Sequence, residues 1–69
     1  MPKKSFEYTR YIGGVDYSIH KLFVGDLYGQ HSVVGWVLEA TFRENIPDRL
    51  FHYHIELENH LKILQKFNS

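Results

Sequence analysis

Two consecutive glycines, Gly13 and Gly14, constrain the fold of this chain more than any other feature of its sequence. Glycine adopts positive φ without steric cost, so a Gly-Gly pair favours a two-residue β-turn of the primed type. Apolar and polar residues alternate on both sides of the pair, which is the pattern of two half-buried strands. The sequence therefore predicts a β-hairpin over residues 6–19 in which Ile12 and Val15 are direct partners.

The two-residue turn also predicts the register of this hairpin. We expect one face to be mostly apolar, with Phe6, Tyr8 and Ile12 in one alternating set. The pairs predicted for that face are Tyr8 with Ile19 and Arg10 with Tyr17. The pairs predicted for the other, mostly polar face are Glu7 with His20, Thr9 with Ser18 and Tyr11 with Asp16.

Residues 22–28 and 33–42 are rich in branched and aromatic side chains and predict two further strands, separated by a polar, glycine-containing segment. Gly35, inside the second of these strands, predicts a bulge, a bend or a close approach of another backbone. The residues expected to share one face of that strand are Val34, Trp36, Leu38, Ala40 and Phe42.

The last third of the chain has two interpretations. Most apolar residues from Leu50 to Phe67 occupy odd positions, which predicts a strand hairpin with a three-residue loop at 58–60. The alternative is a helix after the Asn45-Ile46-Pro47-Asp48 segment. Its apolar stripe would be Leu50, Tyr53, Leu57, Leu61 and Leu64. The alternation favours the hairpin.

Five short strands with turns about every ten residues predict a mainly β fold, a five-stranded antiparallel meander closing into a small barrel. Over residues 20–67 this outline resembles an SH3-like barrel in strand order and spacing. The resemblance rests on no sequence motif, so it implies no functional residue. If the last segment is helical, we expect an α+β fold, a three- or four-stranded antiparallel sheet covered by a C-terminal helix. In either case residues 1–69 form one small domain.

Composition excludes several functions. The chain has no cysteine, so disulfides, thiolate zinc sites and cysteine nucleophiles are excluded. No nucleophile elbow, phosphate-binding loop or dinucleotide-binding motif occurs, and a barrel this small rarely holds a large pocket beside its core. These observations predict a protein that is not an enzyme and needs no cofactor. No apolar run has the length of a signal-peptide core or a membrane span, so we expect a cytoplasmic protein without a membrane partner.

Aromatic residues point to protein binding. Eleven aromatic side chains in 69 residues exceed what one small core readily accepts. Tyrosine and tryptophan are rigid, amphipathic anchors at interfaces, so we predict an interaction domain that docks through Tyr11, Tyr28 and Trp36. The predicted partner is another protein, and an unpaired edge strand would also allow a symmetric homodimer.

Two other functions have weaker support. Lys3, Lys4 and Arg10, with Tyr8 nearby, could form a nucleic-acid-binding track. The balanced charge of the chain, eight basic against eight acidic residues, argues against this alternative. His52 and His54 would project from one face of a strand and could ligate a metal, but only if this segment is extended.

Overall fold

The structure is a computed structural model that describes residues 2–25 and 28–68. Within them lies one antiparallel sheet of four strands in the order β1-β2-β3-β4, with a helix on one of its faces. The elements are β1 (Lys3–Ile12), β2 (Val15–Gly25), β3 (His31–Thr41), β4 (Arg49–Phe51) and α1 (His54–Phe67).

The predicted first hairpin is confirmed in its turn and in most of its register. Ile12 pairs with Val15, and the next four predicted pairs, through Tyr8 with Ile19, are also present. Both turn glycines have positive φ, 59° at Gly13 and 79° at Gly14. A Cβ at Gly13 would also lie 2.6 Å from the side chain of Asn68 at the end of α1, so that exposed side chain would have to move.

The predicted pairing of Glu7 with His20 is wrong. His20 pairs with Phe6, and Glu7 is an extra residue in a register shift between Phe6 and Tyr8. One extra residue reverses the alternation of side chains beyond it. Phe6 therefore lies on the sheet face opposite to Tyr8 and Ile12, although the sequence pattern placed the three together.

Strand β3 contains the irregularity that Gly35 predicted. The register shifts between the pairs Leu22–Gly35 and Phe23–Val33, so Val34 is the extra residue and does not continue the face of Trp36. A Cβ on Gly35 would lie 3.2 Å from the backbone oxygen of Phe51, which confirms a close backbone approach. Phe42 was also expected on that face, but β3 ends before it and its φ is 62°.

The predicted C-terminal hairpin, and with it the closed SH3-like barrel, is wrong. Residues 54–67 form α1, as the α+β alternative expected, and the sheet stays open because β4 has three residues and pairs only with β3. The helix buries Leu57 and Leu61 against the sheet, whereas Ile55 and Ile63 are exposed. Burial of Leu57 and Leu61 thus stabilises a helix, although the alternation of apolar residues in this segment favoured strands.

The core lies between α1 and one face of the sheet. Strand register places several rows of side chains on this helix-covered face, including Tyr8–Ile19–Leu38–Arg49 and Lys21–Trp36–Phe51. The buried hydrophobic residues of the described chain are Ile12, Tyr17, Ile19, Leu38, Phe51, Leu57 and Leu61. In the described part, no helix is both long and apolar enough to cross a membrane.

Candidate docking surface

The other face of the sheet is covered by no described element, and we call it the open sheet face. The register builds it from rows of side chains that cross the strands. Its rows are Lys4–Leu22–Gly35, Phe6–His20–Val37–Leu50, Thr9–Ser18–Glu39 and Tyr11–Asp16–Thr41.

Apolar side chains are concentrated in the first two of these rows. Phe6 and Leu50, at the two ends of the second row, are each 58% exposed. Val37 lies between them in that row and Leu22 lies in the neighbouring row, and both are half-buried. Gly35 leaves room for its neighbours, since a Cβ there would lie 3.2 Å from Leu50 Cδ1 and 3.7 Å from Leu22 Cδ1. These four side chains form an apolar patch that spans all four strands of the sheet.

The polar groups beside this patch are already paired. Lys4 Nζ lies 2.5 Å from Glu39 Oε1, and His20 Nε2 lies 3.2 Å from Glu39 Oε2. The hydrogen bond from Lys4 is the main reason that the pKa of Glu39 is lowered, and the same bond raises the pKa of Lys4. The ring of Phe6 meets the edge of the His20 ring at a centroid distance of 5.7 Å. Among the residues that the structure describes, the centre of the face therefore carries no unpaired charge.

A second polar cluster, of Tyr8, His54 and Glu58, joins β1 to the first turns of α1. The Tyr8 hydroxyl donates a hydrogen bond to Glu58 Oε1 and lies 2.5 Å from His54 Nε2. Burial and the hydrogen bond to Glu58 raise the pKa of Tyr8, so its phenol is a weaker acid than usual. The ring of Trp36 lies 4.3 Å from that of His54. These contacts hold the helix on the sheet.

The three predicted protein-binding residues do not form one surface. Tyr11 is exposed on the open sheet face near the first turn, and Tyr28 is exposed after the end of β2. At about 3.3 Å per residue, roughly 30 Å of β2 separates these two ends of the sheet. Trp36 lies on the helix-covered face and packs against the core.

The predicted nucleic-acid-binding residues are also separated. Lys4 lies on the open sheet face in its ion pair with Glu39, whereas Lys3 lies on the helix side, beside Phe23. The Arg10 guanidinium lies 4.6 Å from the centre of the Tyr8 ring. The structure thus places the three basic residues at three different places, without a continuous basic track between them.

The structural premise of the predicted metal site is wrong. His52 precedes α1 and His54 is its first residue, so the two side chains do not share a strand face. His54 contacts Tyr8 and Glu58. Among residues 2–25 and 28–68, no group of three or more histidine, cysteine, aspartate or glutamate side chains is arranged to hold a metal ion.

Sequence reasoning missed the apolar patch of the open sheet face. Leu22, Val37 and Leu50 come from three strands, and only the register between those strands brings them together. The sequence had a signal for one contribution, since it marked Gly35 as irregular. It had none for the bulge at Glu7, which adds Phe6 to the patch.

Comparison with protein-family models, with curated proteins and with solved structures finds no match to this chain.

Proposed function

We propose that the protein is a non-enzymatic protein-interaction domain that docks through its open sheet face, and that the docked partner is a second copy of the same chain. The observation that carries this proposal is the row Phe6–His20–Val37–Leu50, which crosses the whole sheet with its two outer apolar side chains mostly exposed. Contiguous exposed apolar patches mark interaction sites more often than ordinary surface.

The size of the face supports a stable symmetric dimer. The molecule measures 46 × 23 × 16 Å along its principal axes. Its broad side thus offers an area close to the roughly 800 Å² per partner that a standard protein interface buries. Two sheets that pack face to face form a sandwich, with side chains of the inner faces in contact.

The charges of the face also favour a second copy. Lys4 and Glu39 neutralise each other within one chain, so two copies do not repel through these groups. Both side chains, and His20, already have hydrogen-bond or ion-pair partners. Their burial in an interface would leave no unsatisfied charge, which is the main penalty for burying polar groups.

The edge of the sheet is a less favourable docking site than its face. Strand β1 is the long edge strand, and its first residues are Lys3 and Lys4. The bulge at Glu7 interrupts its pairing pattern near the middle of the strand. Edge lysines and bulges are devices that hinder the pairing of one edge strand with another. We therefore propose docking through the face in place of the edge-strand homodimer expected from the sequence.

The non-enzymatic part of the proposal is supported by the Tyr8, His54 and Glu58 cluster. These residues combine the chemistry of an acid, a base and a hydroxyl, but they bind one another across the contact between β1 and α1. The raised pKa of Tyr8 also makes it a poor proton donor or nucleophile near neutral pH.

The experiment is sedimentation equilibrium over a concentration series, with two double variants. We expect the wild type to approach twice the 8.2 kDa chain mass. Phe6→Ser/Leu50→Ser should remain at the mass of one chain, because it removes both exposed ends of the apolar row. Ile55→Ser/Ile63→Ser is the matched control, since it removes two similarly exposed side chains from the outer side of α1 and should dimerise normally.

Two results would overturn the proposal. One is a wild type that stays at the mass of one chain up to about 1 mM, a concentration at which even a weak interface of about 4 kcal/mol is half occupied. The other is loss of the dimer in the Ile55→Ser/Ile63→Ser variant but not in Phe6→Ser/Leu50→Ser. Circular dichroism of each variant checks that the chain is still folded.

A further inference from the structure

A cleft of about 250 Å³ opens on the helix side of the sheet, between α1, the strands β2 and β3, and the loop of residues 42–48. We call it the helix-side cleft. Its apolar walls are Leu38, Ala40, Ile46, Pro47 and Leu64. Four polar side chains also line it, namely Tyr17, Asp48, Arg49 and His60.

Three of these polar side chains have hydrogen-bonding groups without partners in the described part of the chain. Tyr17 is only 8% exposed, yet its hydroxyl makes no hydrogen bond to residues 2–25 or 28–68. Arg49 and His60 likewise form no hydrogen bond or ion pair with those residues, and both lie against the ring of Phe51. No buried side-chain nitrogen or oxygen of the described residues lacks a partner, so the unpaired groups of Tyr17, Arg49 and His60 are accessible from outside, and a ligand in the cleft can bind them.

Arg49 is the cationic side chain of the cleft, and within the described residues it forms no ion pair with Asp48, the anionic side chain that also lines it. Arg49 pairs with Leu38 on the helix-covered face, so strand alternation directs it to the cleft side and Leu50 to the open sheet face. Burial and then the charge of Arg49 lower the pKa of His60, which keeps the imidazole neutral. Asp48 is also accessible from the outer side of the loop of residues 42–48. The hydrogen bond to Glu39 is the main cause of the raised pKa of Lys4, and the charge of Asp48 is a smaller cause.

We propose that the helix-side cleft binds a small apolar carboxylate. The guanidinium of Arg49 would pair with the carboxylate, the Tyr17 hydroxyl and the His60 imidazole would donate hydrogen bonds to it, and Leu38, Ile46 and Leu64 would enclose the apolar body. Arginine is the side chain best suited to a carboxylate, because its planar donors match the two oxygens.

The volume limits the size of this ligand. A water molecule takes about 30 Å³ in the liquid, so the cleft holds on the order of eight to ten non-hydrogen atoms. It is smaller than the roughly 300–1,000 Å³ typical of pockets for drug-sized molecules. An aromatic or branched monocarboxylate of about the size of benzoate fits these limits.

The loop that closes the cleft has a fixed shape. It begins at Phe42, whose φ of 62° is uncommon for a bulky residue and whose side chain is 95% exposed. The Arg43 guanidinium donates a hydrogen bond to the Gly14 carbonyl at 3.3 Å, and Ile46 N donates to the Arg43 carbonyl at 3.1 Å. These contacts hold Ile46 and Pro47 beside the cleft without a ligand.

The test is titration of the full chain with benzoate, followed in two-dimensional ¹H–¹⁵N NMR spectra. We expect saturable shifts of amide signals around Arg49, His60 and Leu64. Benzamide has nearly the same shape but no charge, and should bind at least about tenfold more weakly, as expected for loss of a charge-assisted hydrogen bond. Benzylamine, a cation of similar size, should not bind.

Three variants locate the site. Arg49→Gln should weaken benzoate binding at least about tenfold, and Tyr17→Phe should weaken it about three- to tenfold, because it removes one neutral hydrogen bond. Lys62→Gln is the control, since it removes one positive charge from the exposed side of α1, which forms one wall of the cleft, without lining the cleft. It should bind benzoate like the wild type.

Equal binding of benzoate and benzamide, unchanged affinity in Arg49→Gln, or absence of saturable shifts would each overturn the proposal. The Phe6→Ser/Leu50→Ser variant separates this inference from the proposed dimer. The cleft and the open sheet face lie on opposite sides of the sheet, so this variant should lose dimerisation and keep benzoate binding. Loss of benzoate binding in that folded variant would contradict the assignment of the ligand to the helix-side cleft.

Discussion

The two faces of the four-stranded sheet differ in how far their apolar side chains are buried. On the helix-covered face Ile19 and Leu57 are completely buried, and burial is achieved within one chain. On the open sheet face Phe6 and Leu50 remain more than half exposed, although their row crosses every strand. The difference arises because the single short helix of the described chain covers one side of the sheet and leaves the other side uncovered.

The two faces also differ in how their polar groups are used. At the centre of the open sheet face Lys4, His20 and Glu39 pair with one another, and Ser18 pairs with Thr41, so these groups can be buried without loss of hydrogen bonds. The helix-covered face keeps Tyr17, Arg49 and His60 without partners among the described residues, and all three line one cleft. We infer that the first face is built for a protein surface and the second for a small ligand.

The largest expected effect is on the helix-covered face. Leu57→Ala removes a completely buried side chain and should lower the free energy of unfolding by about 2–5 kcal/mol. Leu50→Ala, on the open sheet face, should cost about 1 kcal/mol or less when the protein is dilute. Urea denaturation of both variants measures the difference. Similar losses in the two variants would contradict the distinction between a covered and an open face.

A smaller effect is expected where the helix is attached to β1. Tyr8→Phe removes the hydroxyl that binds Glu58 and His54, and should lower the free energy of unfolding by about 1–2 kcal/mol. Tyr11→Phe, on the open sheet face of the same strand, should change it by less than about 0.5 kcal/mol. If Tyr8→Phe is as stable as Tyr11→Phe in urea denaturation, the cluster does not hold the helix.

The same tyrosine predicts a response to alkaline pH. Its pKa in the folded protein is raised above the ordinary value of 10.0, because of burial and the hydrogen bond to Glu58. The folded chain therefore keeps this proton where the unfolded chain releases it, so stability that is present below about pH 10 is lost as the pH rises further. Urea denaturation between pH 8 and 11 should show a steeper loss for the wild type than for Tyr8→Phe. Parallel curves would contradict the prediction.

The smallest expected effect concerns His60 in the helix-side cleft. Burial and Arg49 hold its pKa in the folded protein below the ordinary value of 6.5. The unfolded chain then binds more protons in this range, so stability that is present above about pH 6.5 is lost as the pH falls. His60→Gln should weaken this dependence, and Asn59→Gln, which removes no titratable group, should keep it. Melting temperatures at several pH values would show the difference, and identical slopes in all three proteins would refute it.

The sequence predicted the first hairpin because its determinants are local. Gly13 and Gly14 allow the positive φ values of the turn, and the alternation on both sides then sets the pairs from Ile12–Val15 to Tyr8–Ile19. Gly35 was also informative, because the lack of a side chain at this position allows another backbone to approach closely. Such features depend on neighbours in sequence or on a special residue.

The rest of the fold and both candidate sites depend on tertiary contacts, which the alternation of apolar and polar residues in the sequence does not reveal. The alternation after Leu50 favoured strands, but burial of Leu57 and Leu61 against the sheet stabilises a helix and leaves Ile55 and Ile63 exposed. No residue type marked the bulge at Glu7, so Phe6 was predicted on the wrong face. The apolar patch and the cleft each join side chains from several elements. They could be found only after the register and the position of α1 were known.

The most direct test of the central claim is an isotope-filtered NOE spectrum of a mixture of ¹³C-labelled and unlabelled protein, which reports only contacts between two copies. If two copies dock through the open sheet face, we expect intermolecular NOEs from the Leu50 methyl groups to Phe6, Leu22 or Val37 of the other copy. Intermolecular NOEs confined to the outer side of α1, at Ile55 and Ile63, or no intermolecular NOEs at millimolar concentration, would contradict docking through the open sheet face.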